Sequence, residues 1–319
     1  MKPATITPGS SKGEESKFKR LFIEIWKYRM TYTLLLPGLI WLILFAYLPM
    51  GGLSLAFKDY RANDGIWGSA WIGFENFKYV FRDPAFADAV WRTLYVNIIK
   101  LFITFPFPIL LALLLNELRM RRYKKVLQTA FTFPHFLSWI IVSGIIINVL
   151  AYDGLVNSFL ALIGLPTINF LGSEQNFYPM IILTDIWKST GWGAIVFMAA
   201  ISGIDQEQYE AAQIDGATRL QQMFRVTLPN IMPTVTIMFI LSVGGLMSSG
   251  FDQIFNLANA ATQNVSQVLD VYIYRITFQS STDFSFSTAV SLFRSIVNMI
   301  LLLLADRAAK WLGGDGLFR

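Results

Sequence analysis

Cysteine is absent from the 319 residues, and histidine occurs once, at His135. No cysteine means no disulfide framework, no thiolate metal site and no cysteine nucleophile. A lone histidine removes the commonest ligand of a transition-metal centre. Charged residues make up only 15% of the chain. No G-x-x-x-x-G-K-[ST] run is present to cradle nucleotide phosphates, and no strand–turn–helix elbow presents a serine nucleophile. No metal-spaced cluster of His, Asp and Glu occurs either. Any ATP hydrolysis linked to this chain takes place on another polypeptide.

What is abundant is apolar. Hydrophobic residues reach 54% and mean hydropathy is +0.49, too apolar for a soluble domain of this length. The pattern predicts an all-α membrane protein with six spans, at about 32–57, 92–117, 127–150, 178–202, 232–256 and 285–306, each the length that a bilayer core requires. Residues 31–306 form the membrane domain. Residues 1–16 are polar, rich in Ser, Gly and Pro, and expected to be disordered. In 17–30, Phe18, Leu21, Phe22, Ile25 and Trp26 share one face, which predicts a helix lying on the inner membrane surface. The first apolar segment is too long for a signal-peptide core and is expected to remain as an anchor.

Basic residues orient the spans. Lys17, Lys19, Arg20, Lys27 and Arg29 precede the first, Arg119 to Lys125 follow the second, and Arg307, Lys310 and Arg319 fall in the tail 307–319. With six spans all three groups share one side, which the positive-inside rule makes cytoplasmic, both termini included. The net charge of +5 therefore reads as membrane orientation and not as nucleic-acid binding. The loop 151–177 on the opposite side has neither Lys nor Arg. In the loop 58–91, Phe74, Phe77, Val80 and Phe81 recur at helical spacing after Trp67 and Trp71. This predicts a short amphipathic helix at the outer interface.

Between spans four and five lies a polar loop, 203–230, whose residues predict a helix, a bend and a second helix outside the bilayer. Glu210, Ala211 and Ala212 suit a closely packed helical turn. Gly216 can take the bend, and Asp215 is expected to cap the helix after it. Pro229 and Pro233 are expected to close the second helix or kink the following span. Glu210, Ala211, Ala212, Asp215, Gly216, Ala217, Leu228 and Pro229 resemble the EAA loop of ABC importer membrane subunits, E-A-A-x-x-D-G-A followed after a spacer by L-P. Further stretches extend the resemblance along nearly the whole chain to carbohydrate-importer permeases of the poly- and oligosaccharide branch. They include Leu36-Pro37-Gly38, Ala56 to Tyr60, Trp71 to Phe77, Leu113 to Glu117 and Phe133 to Phe136.

The resemblance implies a type I importer permease fold, a bacterial inner-membrane location and no enzymatic activity in this chain. It implies a second permease, commonly making a heterodimer, two cytoplasmic ATPases that hold the ATP and Mg, and an extracytoplasmic solute-binding protein, all working in membrane lipid. The Glu210 to Gly216 helix would sit in a cleft on the ATPase. Two other classes compete with this one. A membrane-embedded transferase would need an acid–base constellation, and none is present. A self-sufficient secondary transporter or channel would not need this loop, and no internal repeat supports it.

Ionisable groups within spans mark a translocation pathway by default. Arg294, with Asn298 one turn on, Lys188 with Trp192, and Ser242 and Ser249 are the candidates. Lys100, Asp185 and Asp252 are further intramembrane charges, and Asp185 is placed to balance Lys188. Hydroxyls, amides and flat aromatic faces suit a sugar, and a Lys or Arg favours an anionic one. His135 is expected to be a satisfied structural group.

Overall fold

A computed structural model describes residues 24–118, 120–280, 283–314 and 316–318, and its secondary structure is almost entirely helical. The arm 1–16 and residues 17–23 of the expected surface helix lie outside the described residues. Residues 24–30 are helical except for a turn at Tyr28.

The chain divides into two units, 1–54 and 55–319. In the first, α1 (Arg29–Leu42) runs through Pro37 into a wide turn at Ile43–Tyr47 and buries none of its side chains. Its sequence is nearly all apolar, as a lipid-facing helix requires.

The second unit begins with a two-residue hairpin, in which β1 (Lys58–Asp59) pairs antiparallel with β2 (Ala70–Trp71). The expected amphipathic helix follows as α2 (Glu75–Arg82). It buries Val80 and Asn76, and Asn76 donates to the carbonyls of Ala56 and Lys58 at 3.0 Å each. Helix α3 (Pro84–Thr104) continues through a bend at Phe105 into α4 (Pro106–Asn116). The bend falls where proline removes the backbone donor. Then come α5 (Arg121–Thr132), a 3-10 turn at Phe133–Phe136, α6 (Trp139–Leu150) and α7 (Leu155–Leu162). The predicted span 127–150 is thus two helices. Pro134 lies in the joint and Ser138 caps the second helix by accepting from the Ile141 N–H.

Helix α8 (Glu174–Ser202) is the central strut, 29 residues and so about 43 Å long. It packs on α4, α5, α3 and α11 (Leu228–Gly244). Between α8 and α11 lie α9 (Gln206–Ile214) and α10 (Arg219–Gln222). After α11 come α12 (Phe251–Leu257), α13 (Leu269–Arg275) and α14 (Phe284–Trp311). The predicted fifth span, 232–256, is not one helix. It stops at Gly244, crosses an irregular segment and restarts after Gly250, which has φ +76°.

Among the described residues, five segments are long and apolar enough to cross a membrane: Arg29–Phe57, Pro84–Asn116, Trp139–Leu162, Arg219–Gly244 and Phe284–Trp311. Helix α8 has the length but carries Thr184, Asp185, Lys188, Ser189 and Thr190 through its middle. Three buried clusters hold the unit together. One joins α3, α13 and α14 through Phe86, Tyr272 and Val290. A second joins α3, α8 and α12 through Val96, Ile181 and Ile254. The third joins α4, α8 and α11 through Leu113, Phe197 and Ile231.

Candidate functional site

A cavity of about 430 Å³ opens where α3, α4, α8 and α11 converge. Glycines set the approach of its walls. A Cβ at Gly191 would lie 2.0 Å from the Phe131 carbonyl oxygen, and one at Gly193 would lie 2.9 Å from Pro108. Any side chain at Gly191 therefore forces α8 away from α5.

One wall is aromatic. The rings of His135 and Trp192 stack at 4.5 Å, within 3° of parallel, and Phe136 meets Trp192 edge-on at 5.9 Å. His135 thus lines the cavity beside Trp192. Polar groups line much of the rest: Asn97, Lys100, Thr104, Asp185, Ser189 and Thr190. Lys100 and Asp185 form an ion pair at 3.5 Å, both mostly buried. Lys100 also donates to Gln253 Oε1 at 3.2 Å, and Ser189 to Asp185 Oδ1 at 3.3 Å. Gln253 is held by the Ile181 carbonyl and Thr184. Ser242 lines the cavity, with its proton committed to the Met238 carbonyl. What remains toward the cavity is an amphipathic surface with a flat ring face, hydroxyl oxygens and one internally balanced charge pair.

Other pathway candidates lie elsewhere. Lys188 is 6% exposed, donates to the His135 carbonyl at 2.8 Å and sits 5.3 Å over the Trp139 ring. It fixes the loop that carries His135. Asp185 is paired with Lys100 and not, as sequence spacing suggested, with Lys188. Arg294 is paired with Asp270, whose other oxygen accepts from the Ser249 N–H at 2.9 Å. Asn298 accepts from the Met247 N–H at 2.9 Å and donates to Ser248 at 3.3 Å. Asn97 donates to the Leu246 carbonyl at 2.7 Å. Together these groups satisfy the backbone freed where the fifth predicted span unwinds between Gly244 and Gly250. Irregular backbone at membrane depth is tolerated where protein or a cavity covers it, and Gly245, Leu246 and Ser248 do line the cavity. Ser249 is buried, and its hydroxyl has no partner among the described residues.

The helix–bend–helix loop is present. Asp205 caps α9 by accepting from the Glu207 N–H, and Gly216 makes the bend at φ +77°. Asp215 is the C-cap of α9, so it does not start the next helix. Thr218 does that, in a reciprocal capping box with Gln221. Pro229 sits in the first turn of α11, after a wide turn at Met223–Thr227, and Pro233 falls within α11. The loop is braced by Tyr209 to Thr227 at 2.9 Å and by Asn230 donating to Gln208 at 2.7 Å. Glu210, Ala211, Asp215 and Gly216 are exposed, Ala212 and Ala217 half-buried, and Ile214 is 87% exposed.

Residues 85–314 match a family described as binding-protein-dependent transport system inner membrane component. The chain is 41% identical over 306 residues to the polygalacturonan/rhamnogalacturonan transport system permease protein YteP of Bacillus subtilis (strain 168), covering 96% of this chain and 95% of that one. It is 42% identical to Protein LplB of the same organism, covering 90% of each. Among solved structures it is similar, at TM-score 0.84 and 36% identity, to a chain in the crystal structure of a bacterial alginate ABC transporter in complex with an alginate pentasaccharide-bound periplasmic protein. That match covers 93% of this chain and 100% of the other.

Proposed function

Because the chain belongs to the family of binding-protein-dependent transport system inner membrane components and is a permease of an ABC importer, not an enzyme, we propose that it carries an acidic oligo- or polysaccharide across a bacterial inner membrane. The observation that carries this reading is the cavity. Its His135–Trp192 face suits the C–H surface of a sugar ring, its hydroxyls and amides suit sugar hydroxyls, and Lys100 suits a carboxylate. The names of two relatives point the same way, one a polygalacturonan/rhamnogalacturonan permease and the other a transporter of the acidic polysaccharide alginate. Alginate is a candidate cargo on that basis.

In this reading the membrane domain is 31–306 and α8 is a span as well, the fourth of six. Asp185, Ser189 and Thr190, which lower its hydropathy, line the cavity, so lipid need not solvate them. Both termini and the loop 203–230 then lie in the cytoplasm, consistent with the basic residues near the chain ends. Glu210 to Ala217, with Leu228 and Pro229 behind them, dock on one of two ATPases that hold ATP and Mg. The exposed Ile214 supplies the apolar tip of that contact. A second permease covers the other side of the pathway, and a solute-binding protein delivers cargo from outside. Closure of the ATPases moves the spans as rigid bodies between inward- and outward-facing states.

Reconstitution tests the reading. Proteoliposomes holding both permeases and both ATPases, with ATP inside and binding protein outside, should accumulate labelled oligogalacturonate or oligoalginate. Uptake that persists without the ATPases, or that prefers neutral oligosaccharides, would overturn it.

A further inference from the structure

A second polar cavity, of about 500 Å³, lies between the start of α3 and the segment 263–279 and is distinct from the central one. Six of its seven lining residues are polar: Asp83, Gln263, Gln267, Tyr272, Arg275 and Gln279. Two of these are committed. Asp83 accepts from the Ala85 N–H with one oxygen, at 2.9 Å, and from the Tyr272 hydroxyl with the other. Burial first, and then Asp83, push the Tyr272 phenol above its usual pKa, so it stays the donor. Its ring is buried and forms part of the floor.

The remaining four differ. The side chains of Arg275, Gln263, Gln267 and Gln279 make no hydrogen bond or ion pair among the described residues, although Arg275 and Gln267 are half-buried. Isolated polar residues on a solvated loop would account for one or two such groups. Four lining one concavity, two of them half-buried, make a donor–acceptor array open to a ligand. A guanidinium takes a carboxylate in a fork of parallel N–H donors, and primary amides match vicinal hydroxyls with a donor and an acceptor each. Both features belong to one ligand class, the uronate sugars.

We propose that this cavity is a second saccharide-binding site, in which Arg275 holds the carboxylate of a uronate residue and Gln263, Gln267 and Gln279 hold its hydroxyls. The site rests on the acidic-glycan reading given above. In the six-span arrangement it lies on the extracytoplasmic side, with the loop 58–91, which contains Asp83. It is therefore placed to take cargo before the central cavity does.

Calorimetric titration of the purified importer complex, without its binding protein, with trigalacturonate tests it. Two binding events are expected. Arg275→Gln should abolish one or weaken it about tenfold, the loss of roughly one charge-assisted hydrogen-bond pair, while Lys100→Met removes the other. Gln267→Ala should weaken the same event as Arg275→Gln, by less. A single event in the wild type, unchanged by Arg275→Gln but lost in Lys100→Met, overturns the second site and leaves the central one standing. No binding of trigalacturonate at all overturns the acidic-glycan reading itself. If Arg275→Gln instead impairs docking of the solute-binding protein while both sugar events persist, the cavity is a protein contact and the proposal fails.

Discussion

Replacing Asp270 with alanine removes the acceptor for two groups at once, the Arg294 guanidinium and the Ser249 N–H. The side chains of Asp270 and Arg294 are 12% and 30% exposed, so the pair is mostly but not wholly withdrawn from solvent. Removing one partner of a fully buried pair costs about 3–5 kcal/mol, because the other charge is left uncompensated. Arg294 can still reach water, which lowers that to about 2–3 kcal/mol. The stranded Ser249 N–H adds about 1 kcal/mol. Removing Arg294 as well relieves the uncompensated charge but not the stranded N–H. The double variant should therefore recover at least about 2 kcal/mol of the summed single losses, the cost of leaving Arg294 unpaired.

The assay is unfolding of the purified permease in mixed micelles, run as a double-mutant cycle over Asp270→Ala and Arg294→Ala. Transport supplies a second readout. If this pair only holds the unwound segment in place, the variants lower folded protein and total uptake but leave the ratio of acidic to neutral sugar uptake unchanged. A coupling energy below about 0.5 kcal/mol, within the scatter expected of independent sites, would refute the bracing role. A selective loss of acidic cargo would return Arg294 to the substrate pathway.

Three further outcomes follow from the same geometry. Lys100→Met should reduce uptake of acidic oligosaccharide by about tenfold or more, the equivalent of one charge-assisted contact, with neutral sugars less affected; competition uptake assays read the difference. Gly216→Pro or Glu210→Lys should leave an inserted protein in which ATP hydrolysis no longer drives uptake, and normal cargo-stimulated hydrolysis with normal uptake would contradict that. Gly191→Val places side-chain atoms against the Phe131 backbone and should destabilise by about 2 kcal/mol or more, read as loss of folded protein in detergent; a stable, active Gly191→Val variant would show that the α5–α8 contact is not close in the membrane.

Features governed by neighbours in sequence were legible without coordinates. The α2 helix announces itself through Phe74, Phe77, Val80 and Phe81, and the bend at Gly216 through a glycine between helix-forming runs. The break in the fifth predicted span was not legible. Gly244, Gly245, Ser248, Ser249 and Gly250 are all breaker residues, but the sequence does not say that the helix stops there and restarts. What stabilises the break comes from Asn97, Asp270 and Asn298, which lie far off in the chain. The pairing of charges failed for the same reason. Spacing within α8 suggested Asp185 with Lys188, but the partner of Asp185 lies on α3 and Lys188 is taken by a carbonyl of the 133–136 turn. That His135 stacks on Trp192 at the cavity is likewise a tertiary fact, which its Phe-Pro-His-Phe run does not carry.

Four of the charges in the predicted spans fall into two groups that differ in what they can do during transport. Arg294 with Asp270 is tied to backbone, as is Lys188 through the His135 carbonyl, so moving either disturbs the fold. Lys100 and Asp185 meet at 3.5 Å on the cavity wall, and each has a neutral neighbour, Gln253 for one and Ser189 for the other. That pair can open with each charge still keeping one hydrogen-bond partner. An anionic cargo would take Lys100 while Asp185 keeps Ser189, and Asp185 would reclaim Lys100 as the cargo leaves. An internal competitor of this kind lowers affinity for the anion, which suits an importer, because a site that holds cargo too tightly cannot release it. Asp185→Asn should therefore tighten equilibrium binding of acidic oligosaccharide while slowing its turnover. Weaker binding, or tighter binding with faster uptake, would rule the competitor out.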